Sequence, residues 1–324
     1  MRAFTWLIGV LRGIIRLLQT RRTHANSIEK LMRGMLLVPV FGGMLVLLRI
    51  RAALLGPLRI ETVTADGDRV ACQLPDLIQM YLFVFGVWEP DLAAFIRARL
   101  NPADVFIDVG ANIGFDSLLA SRAVGDGGRV VAFEASPMVF DRLRETLRLN
   151  GSPTNVRAIN KAVAAERGTL NIYAGPQHNV GLTTTVQRGD MPQVASVEAA
   201  PLGDLLEHDE LPRVRLIKID VEGGEVAVLA GLAACIDQFP REVEIAVELS
   251  PLWWGDRTRT SRDVLQPFVD RGFRIYTIPN NYWPWRYLWP RDVGRPRRLR
   301  DESILTKPIK RLDVILSRQD TEEL

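Results

Sequence analysis

The first apolar pattern in the chain is helical. Phe4, Trp6, Leu7, Val10, Leu11, Ile14, Ile15, Leu17 and Leu18 recur at helix-face spacing around Arg12 and Arg16, which predicts a basic amphipathic helix of the type that lies at a membrane surface. Residues 35–48 (MLLVPVFGGMLVLL) are almost wholly apolar, but the run is fourteen residues long and contains Pro39, Gly42 and Gly43. A bilayer needs about twenty, so the run predicts a covered or interfacial helix and not a spanning one. Packing against the rest of the chain, or against a second copy, remains the other reading of both helices.

From residue 60 the period changes. Residues 60–74 (IETVTADGDRVACQL) alternate apolar and polar on either side of Asp66-Gly67-Asp68, the signature of a hairpin. Residues 77–85 and 91–100 read as helices. Thereafter strands alternate with helices: strands at 105–109, 130–134, 156–160, 216–220, 243–249, 273–278 and 312–317, and helices at 138–149, 225–232 and 263–271. Several of these strands are apolar throughout, as a parallel sheet covered on both faces requires. The expected fold is a doubly wound α/β sheet with helices on both faces, preceded by a helical extension (1–58) and a hairpin with a helical lead-in (59–100). The main domain is then 101–324.

Composition changes this picture little. The chain has 324 residues, 47% hydrophobic and 24% charged, enough to bury a large core. Cys72 and Cys235 are isolated in sequence and read as small core residues in a reducing, cytoplasmic compartment, with the inner face of the membrane as the expected place of any lipid contact. The net charge of +3 is too small to argue for nucleic acid. Basic residues do cluster at the two ends, the later cluster (Arg286 to Arg311) beside the aromatic stretch NNYWPWRYLW.

The candidate chemistry lies in residues 105–120, VFIDVGANIGFDSLLA, where a buried strand ends in an acid, turns on glycines and enters a helix. In doubly wound sheets this first turn lines the ligand. A dinucleotide fingerprint would need glycine where Asn112 and Phe115 stand, and a P-loop would need a Lys-Ser/Thr pair after the turn; neither is present. What remains is D-x-G-x-N-x-G followed by Glu134 at the end of the next strand, an acid placed to accept the hydroxyls of a ribose. A ligand with a ribose, a cation and no phosphate suits that turn, and S-adenosylmethionine is such a ligand.

With these motifs in view, the chain resembles the FkbM-type methyltransferases. The matching stretches are FIDVGANIG, VVAFEASP, NKAVAAERGTL, HNVGLTTT, LIKIDVEGGEVAVLAG and VEL, within residues 87–317. The resemblance implies a Rossmann-like S-adenosylmethionine-dependent methyltransferase, commonly acting on oxygen, often on hydroxyls of sugars, polyketides or surface glycans. It leaves the first sixty residues and NNYWPWRYLW uncovered.

The expected roles follow. Asp108, Gly110, Asn112 and Gly114 line the methionine portion, with Asp108 toward its ammonium group. Glu134 holds the ribose, and Ala162 or Lys161 meets the adenine edge. Asp220, Glu222 and Glu248 face the pocket from the carboxyl edge of the sheet. Glu222 is the candidate base or acceptor-orienting group, with Asp220 and His178 as the other candidates. Glu222 as a cap for the following helix and Asp220 as a donor-orienting group are the bland alternatives. No metal is expected, although Asp220, Glu222 and Glu248 form the one plausible set. The acceptor class is a small molecule, glycan or glycolipid. Nucleic acid is disfavoured because neither an amino-methylation quartet nor a Pro-Cys pair is present, and RNA bound through the late arginines and aromatics is the alternative. Oligomerisation is left open.

Overall fold

The structure, a computed structural model, describes residues 2–19, 26–174, 183–280, 282–288 and 293–324. The chain divides into two compact units, Met1–Pro90 with Asn280–Val293, and Asp91–Pro279 with Gly294–Leu324. These boundaries differ from those expected at 58 and 100. The hairpin and the helix after it belong with the amino-terminal helices because the aromatic stretch near residue 285 packs onto them.

The first unit contains α1 (Arg2–Leu18), α2 (Ser27–Leu55), the hairpin β1 (Leu58–Val63) and β2 (Arg69–Leu74), and α3 (Leu77–Phe85). The hairpin pairs Val63 with Arg69 across the expected turn. Asn26 accepts the amide of Glu29 and Asp76 that of Gln79, so each of these helices opens on a side-chain cap. Residues 35–48 do not form a separate short helix. They lie inside the 29-residue α2, which runs unbroken through Pro39, and its stretch Leu31–Leu55 is long and apolar enough, by length and composition, to cross a membrane.

Tyr287 stacks on Phe85 at 5.3 Å and meets the edge of Tyr81 at 4.6 Å; Tyr282 stacks on Trp88 at 4.8 Å. Within NNYWPWRYLW, these two tyrosines thus serve as cover for the core of the first unit. Trp283 is exposed.

The second unit takes up the chain at Asp91, within α4 (Pro90–Arg99), and continues β3 (Val105–Val109), α5 (Phe115–Val124), β4 (Arg129–Phe133), α6 (Pro137–Leu149) and β5 (Val156–Ile159). A small sheet follows: β6 (Ala162–Val163), β7 (Gly168–Ala174), β8 (Thr183–Thr184) and β9 (Gln193–Ala200). The chain then returns through α7 (Leu202–Leu205), β10 (Val214–Ile219), α8 (Glu225–Cys235), β11 (Glu244–Leu249), α9 (Ser261–Val269), β12 (Arg274–Thr277), β13 (Arg297–Arg298) and β14 (Leu312–Ser317).

Among the described residues the main sheet has the order β13-β12-β14-β11-β10-β3-β4-β5. Its centre is parallel, and β14 runs antiparallel between β11 and β12. Alternation decides which helix covers which face. Val131 and Phe133 of β4 join Val105, Ile107 and Val109 in a core with Leu229, Leu232, Leu265 and Phe268, whereas Ala132 between them joins Leu118, Leu143 and Leu147. Helices α8 and α9 therefore cover one face and α5 and α6 the other. The doubly wound expectation holds, and the four-stranded sheet between β5 and β10 is an addition to it.

Candidate functional site

The chain leaves β3 toward β4 and β5, then returns to β10 on the other side of β3. This reversal opens a crevice at the carboxyl ends of β3 and β10, where open α/β sheets bind ligands.

The turn after β3 is clamped on both sides. The amides of Gly110 and Ala111 both donate to the Phe133 carbonyl at 2.9 Å, and the Asp220 amide donates to the Val109 carbonyl at 2.9 Å. Gly110 has φ +85°, and a Cβ there would sit 1.9 Å from the Asp220 carbonyl oxygen. Only glycine meets both conditions. Gly110→Ala is accordingly expected to lose at least about 2 kcal/mol of stability, from left-handed strain plus a backbone overlap, which a denaturant melt would reveal. Gly114 begins α5 in the same left-handed region, and a Cβ there would meet the Leu143 side chain at 2.6 Å.

Asn112 adopts φ +51° and directs its amide to Glu134 Oε2 at 3.0 Å, while the Ser136 amide donates to Glu134 Oε1 at 2.9 Å. The carboxylate is thus held rigidly at the end of β4, with one amide on each oxygen. Burial pushes the Glu134 carboxyl up to about 7, and the two amide bonds oppose the rise only in part. Asn160, the residue after β5, donates from Nδ2 to the carbonyls of Glu134 and Ala135.

Under the turn lies a buried lysine that the sequence reading did not single out. Lys218 Nζ sits 3.3 Å from Asp108, 3.4 Å from Asp116 and 3.5 Å from Asp220. Asp108 is fully buried, and its second oxygen accepts the Ser117 hydroxyl at 2.6 Å. The Asp108 carboxylate, expected to face a ligand ammonium, is here buried against Lys218 and Ser117. Asp220, with its side chain 32% exposed, is the member of the cluster that reaches the crevice. Burial pushes the Asp116 carboxyl up to about 6 against the pull of Lys218.

Beyond β10, Thr184 donates its hydroxyl to the Glu222 carbonyl at 2.5 Å and accepts the Val186 amide at 3.0 Å. Burial, and next the charge of Asp220, push the Glu222 carboxyl up to about 7. Glu222 is not the cap of α8, whose first turn follows Gly224 without a side-chain cap. Glu225 is the acid tied into that turn. It is buried, accepts the Gly223 amide at 3.0 Å and the Trp254 indole N–H at 2.7 Å, and burial pushes it up to about 8.

Trp254 and its neighbour Trp253 form one wall of an open cavity of about 440 Å³, lined also by Val186, Arg188, Met191 and Arg257. The Arg188 guanidinium lies 4.1 Å from the centre of the Trp253 ring. A Cβ on Gly223 would fall 2.9 Å from the Trp253 carbonyl, so the cavity wall and the turn bearing Glu222 are in contact.

Other expectations fare differently. Ala162 lies in β6, buried in a small core with Ala164, Ile172, Val197 and Ala199, and Lys161 pairs with Glu198; the residue bonded into the end of the crevice is Asn160. Glu248 faces Arg311 at 3.7 Å opposite Asp313 on β14, and Asp220 faces Lys218, so the trio considered for a metal has its outer members turned to protein cations. His178 lies outside the described residues.

The model of the methyltransferase FkbM domain matches residues 108–275, a little over half of the chain. The chain belongs to the FkbM methyltransferase family. Within this family-matched region lie Asp108, the Gly110 turn, Glu134, Lys218 and Glu222 together. Hexuronic acid methyltransferase AglP of Haloferax volcanii is 28% identical over 144 residues, which is 44% of this chain and 56% of that protein. Methyltransferase sdnD of Sordaria araneosa is 29% identical over 163 residues, 42% of this chain and 62% of that one. The chain thus spans under two thirds of the length of these relatives. Among solved structures, a methyltransferase FkbM from Methylobacillus flagellatus KT aligns over 74% of this chain and 52% of its own, at 13% identity and TM-score 0.38.

Proposed function

We propose that this FkbM-family protein transfers a methyl group from S-adenosylmethionine to a hydroxyl oxygen of a sugar-like acceptor. The observation that carries the donor assignment is Glu134. Its carboxylate is fixed at the end of β4 by the amides of Asn112 and Ser136, one on each oxygen. A carboxylate has about four lone-pair sites, so each oxygen keeps capacity for a ribose hydroxyl.

The charge of the neighbouring cluster supports the same donor. Three carboxylates surround a single lysine, which leaves the crevice negative and suited to a ligand with a sulfonium and an ammonium. Asp220, the exposed member, is the residue we assign to the ammonium.

When bound, the donor supplies an electrophilic methyl group that needs no further activation. The protein's part is to hold the acceptor oxygen in line, an effect worth up to about 7–11 kcal/mol, and to take the hydroxyl proton as the new bond forms. Glu222 is the base in this reading, being held by Thr184 on the turn beside the cavity. Trp253 offers a flat face for a sugar ring and Arg188 a cation for an acidic substituent. The similarity to a protein named as a hexuronic acid methyltransferase agrees with such an acceptor. The late arginines favour it over RNA, because Arg297, Arg298 and Arg300 pair with Glu323, Asp320 and Glu322, and Tyr282 and Tyr287 are engaged in the aromatic cluster of the first unit.

Calorimetry tests the donor. The wild type is expected to bind S-adenosylmethionine, and Glu134→Ala to weaken binding by roughly 1–3 kcal/mol, or about 5- to 150-fold. A wild type that binds none would end the reading. Transfer of labelled methyl into a fractionated cell extract would then identify the acceptor.

A further inference from the structure

We infer that α1 and α2 form a lipid-immersed hairpin that holds the protein on one leaflet by apolar contact rather than by its arginines. The inference does not depend on the methyltransferase reading.

The two helices lie against each other, with Ile8 and Ile15 buried on α1 and Leu37, Met44 and Leu48 buried on α2. Four of their arginines, Arg12, Arg16, Arg33 and Arg51, bond protein groups, unlike the solvated charges of an ordinary surface helix. Arg12 donates to Thr62 Oγ1 at 2.6 Å and lies 4.6 Å from the Phe83 ring centre; Arg16 donates to the Val84 carbonyl at 2.9 Å. Arg33 pairs with Glu29 and reaches the Leu18 carbonyl, and Arg51 bonds the Gly56 carbonyl. These arginines tie the helices to their own unit or to each other.

What faces outward is apolar. On α1, Trp6, Leu7, Val10, Ile14 and Leu17 are exposed, within about 100° of the helix circumference at 3.6 residues per turn. On α2, Ile28, Leu31, Met35, Leu36, Val46 and Leu54 are exposed on a stripe about 140° wide and about 39 Å long. Arg49 is exposed near one end of this stripe, where a long side chain can reach headgroups.

The width of the stripe selects the occupant. A seam between two helices uses about two positions in seven, far narrower than this face, whereas a fluid hydrocarbon covers any width. The internal ties select the depth. Because α1 is bonded to β1 and α3 through Arg12 and Arg16, and Phe41 of α2 stacks on Phe85 at 6.1 Å, each helix keeps one side against protein. A helix crossing the bilayer alone would have lipid all round. The hairpin therefore lies in the plane of one leaflet, immersed by roughly 5–10 Å.

A basic amphipathic helix predicts binding to anionic lipid that salt weakens; the apolar outer faces predict binding that needs neither anionic lipid nor low salt. In flotation with vesicles of pure phosphatidylcholine, the full-length protein is expected to float at low and at high salt alike. Leu31→Glu combined with Leu36→Glu, and separately Val10→Glu combined with Ile14→Glu, should each reduce the floated fraction at least tenfold while circular dichroism and the melting transition stay as in the wild type. Three results would overturn the inference: a wild type that stays in the soluble fraction with phosphatidylcholine, one that floats only with anionic vesicles and is released by salt, or one that forms a stable dimer dispersed by these same substitutions and binds no vesicles.

Discussion

Replacing Lys218 by methionine should cost the fold about 3–5 kcal/mol at neutral pH, the range measured when one partner of a buried ion pair is removed. Methionine keeps the length and most of the volume of the lysine stem, so packing changes little and the lost charge dominates. Lys218 is 4% exposed, and three carboxylates share its ammonium. Without it, the fully buried Asp108 is left with the Ser117 hydroxyl among the described residues.

The pH dependence separates this cause from a packing defect. Burial already pushes Asp116 up to about 6 with the lysine beside it, and removal of the cation must push it higher. A carboxyl whose folded pKa lies above its unfolded value destabilises the fold above that folded pKa, and the penalty fades as pH falls through it toward the unfolded value. The deficit of Lys218→Met should accordingly be largest above the variant's raised pKa and shrink as pH falls from there toward about 6, where the group already titrates with the lysine in place. Adding Asp108→Asn should recover part of the loss. A denaturant midpoint equal to wild type at neutral pH, in the single variant, would mean that the cluster does not form.

Much of the main sheet is legible in the sequence because its strands are covered on both faces. Residues 105–109 and 312–317 are mainly apolar runs, interrupted by Asp108, Asp313 and Ser317, whose bounds match β3 and β14. The small sheet is harder to see. Strands β7 and β9 mix exposed and buried positions, and in their sequences (GTLNIYA and QVASVEAA) short polar and small residues blur the alternation. The α1 arginines mislead for a different reason: helical spacing says which residues share a face, but an outside partner decides which face turns inward. Thr62 and Val84 supply that partner, 50 and 68 residues away.

The site divides in the same way. Gly110 and Glu134 are readable because local geometry demands them, a positive φ at a close approach and an acid at the end of the next strand. Lys218 was missed although it carries a signal of its own, a charged residue between two isoleucines in the strand VRLIKI. A lysine in that position has to find an acid, and Asp108 is its register partner on β3. Trp253, Trp254 and Arg188 carry no comparable signal, because only folding brings residues 186–191 against residues 253–257.

The largest effect on rate is expected at Glu222. Burial, followed by the charge of Asp220, raises its carboxyl to about 7, where a base can both be free of its proton and accept one near neutral pH. Since the ionised form does the work, the rate should rise with pH and level off above about 7. Glu222→Gln preserves the shape and the backbone carbonyl that Thr184 engages, but it removes basicity. The rate should then fall by at least about tenfold and up to about 10⁴-fold, with the rise near pH 7 abolished. Donor affinity should stay near wild type, because Glu134 and Asp220 carry the donor in this assignment. Single-turnover rates across pH, with calorimetry of donor binding alongside, read both quantities. An unchanged rate in this variant together with collapse in His178→Ala would transfer the proton to the histidine. Equal losses of rate and donor affinity in Glu222→Gln would place Glu222 in the donor site.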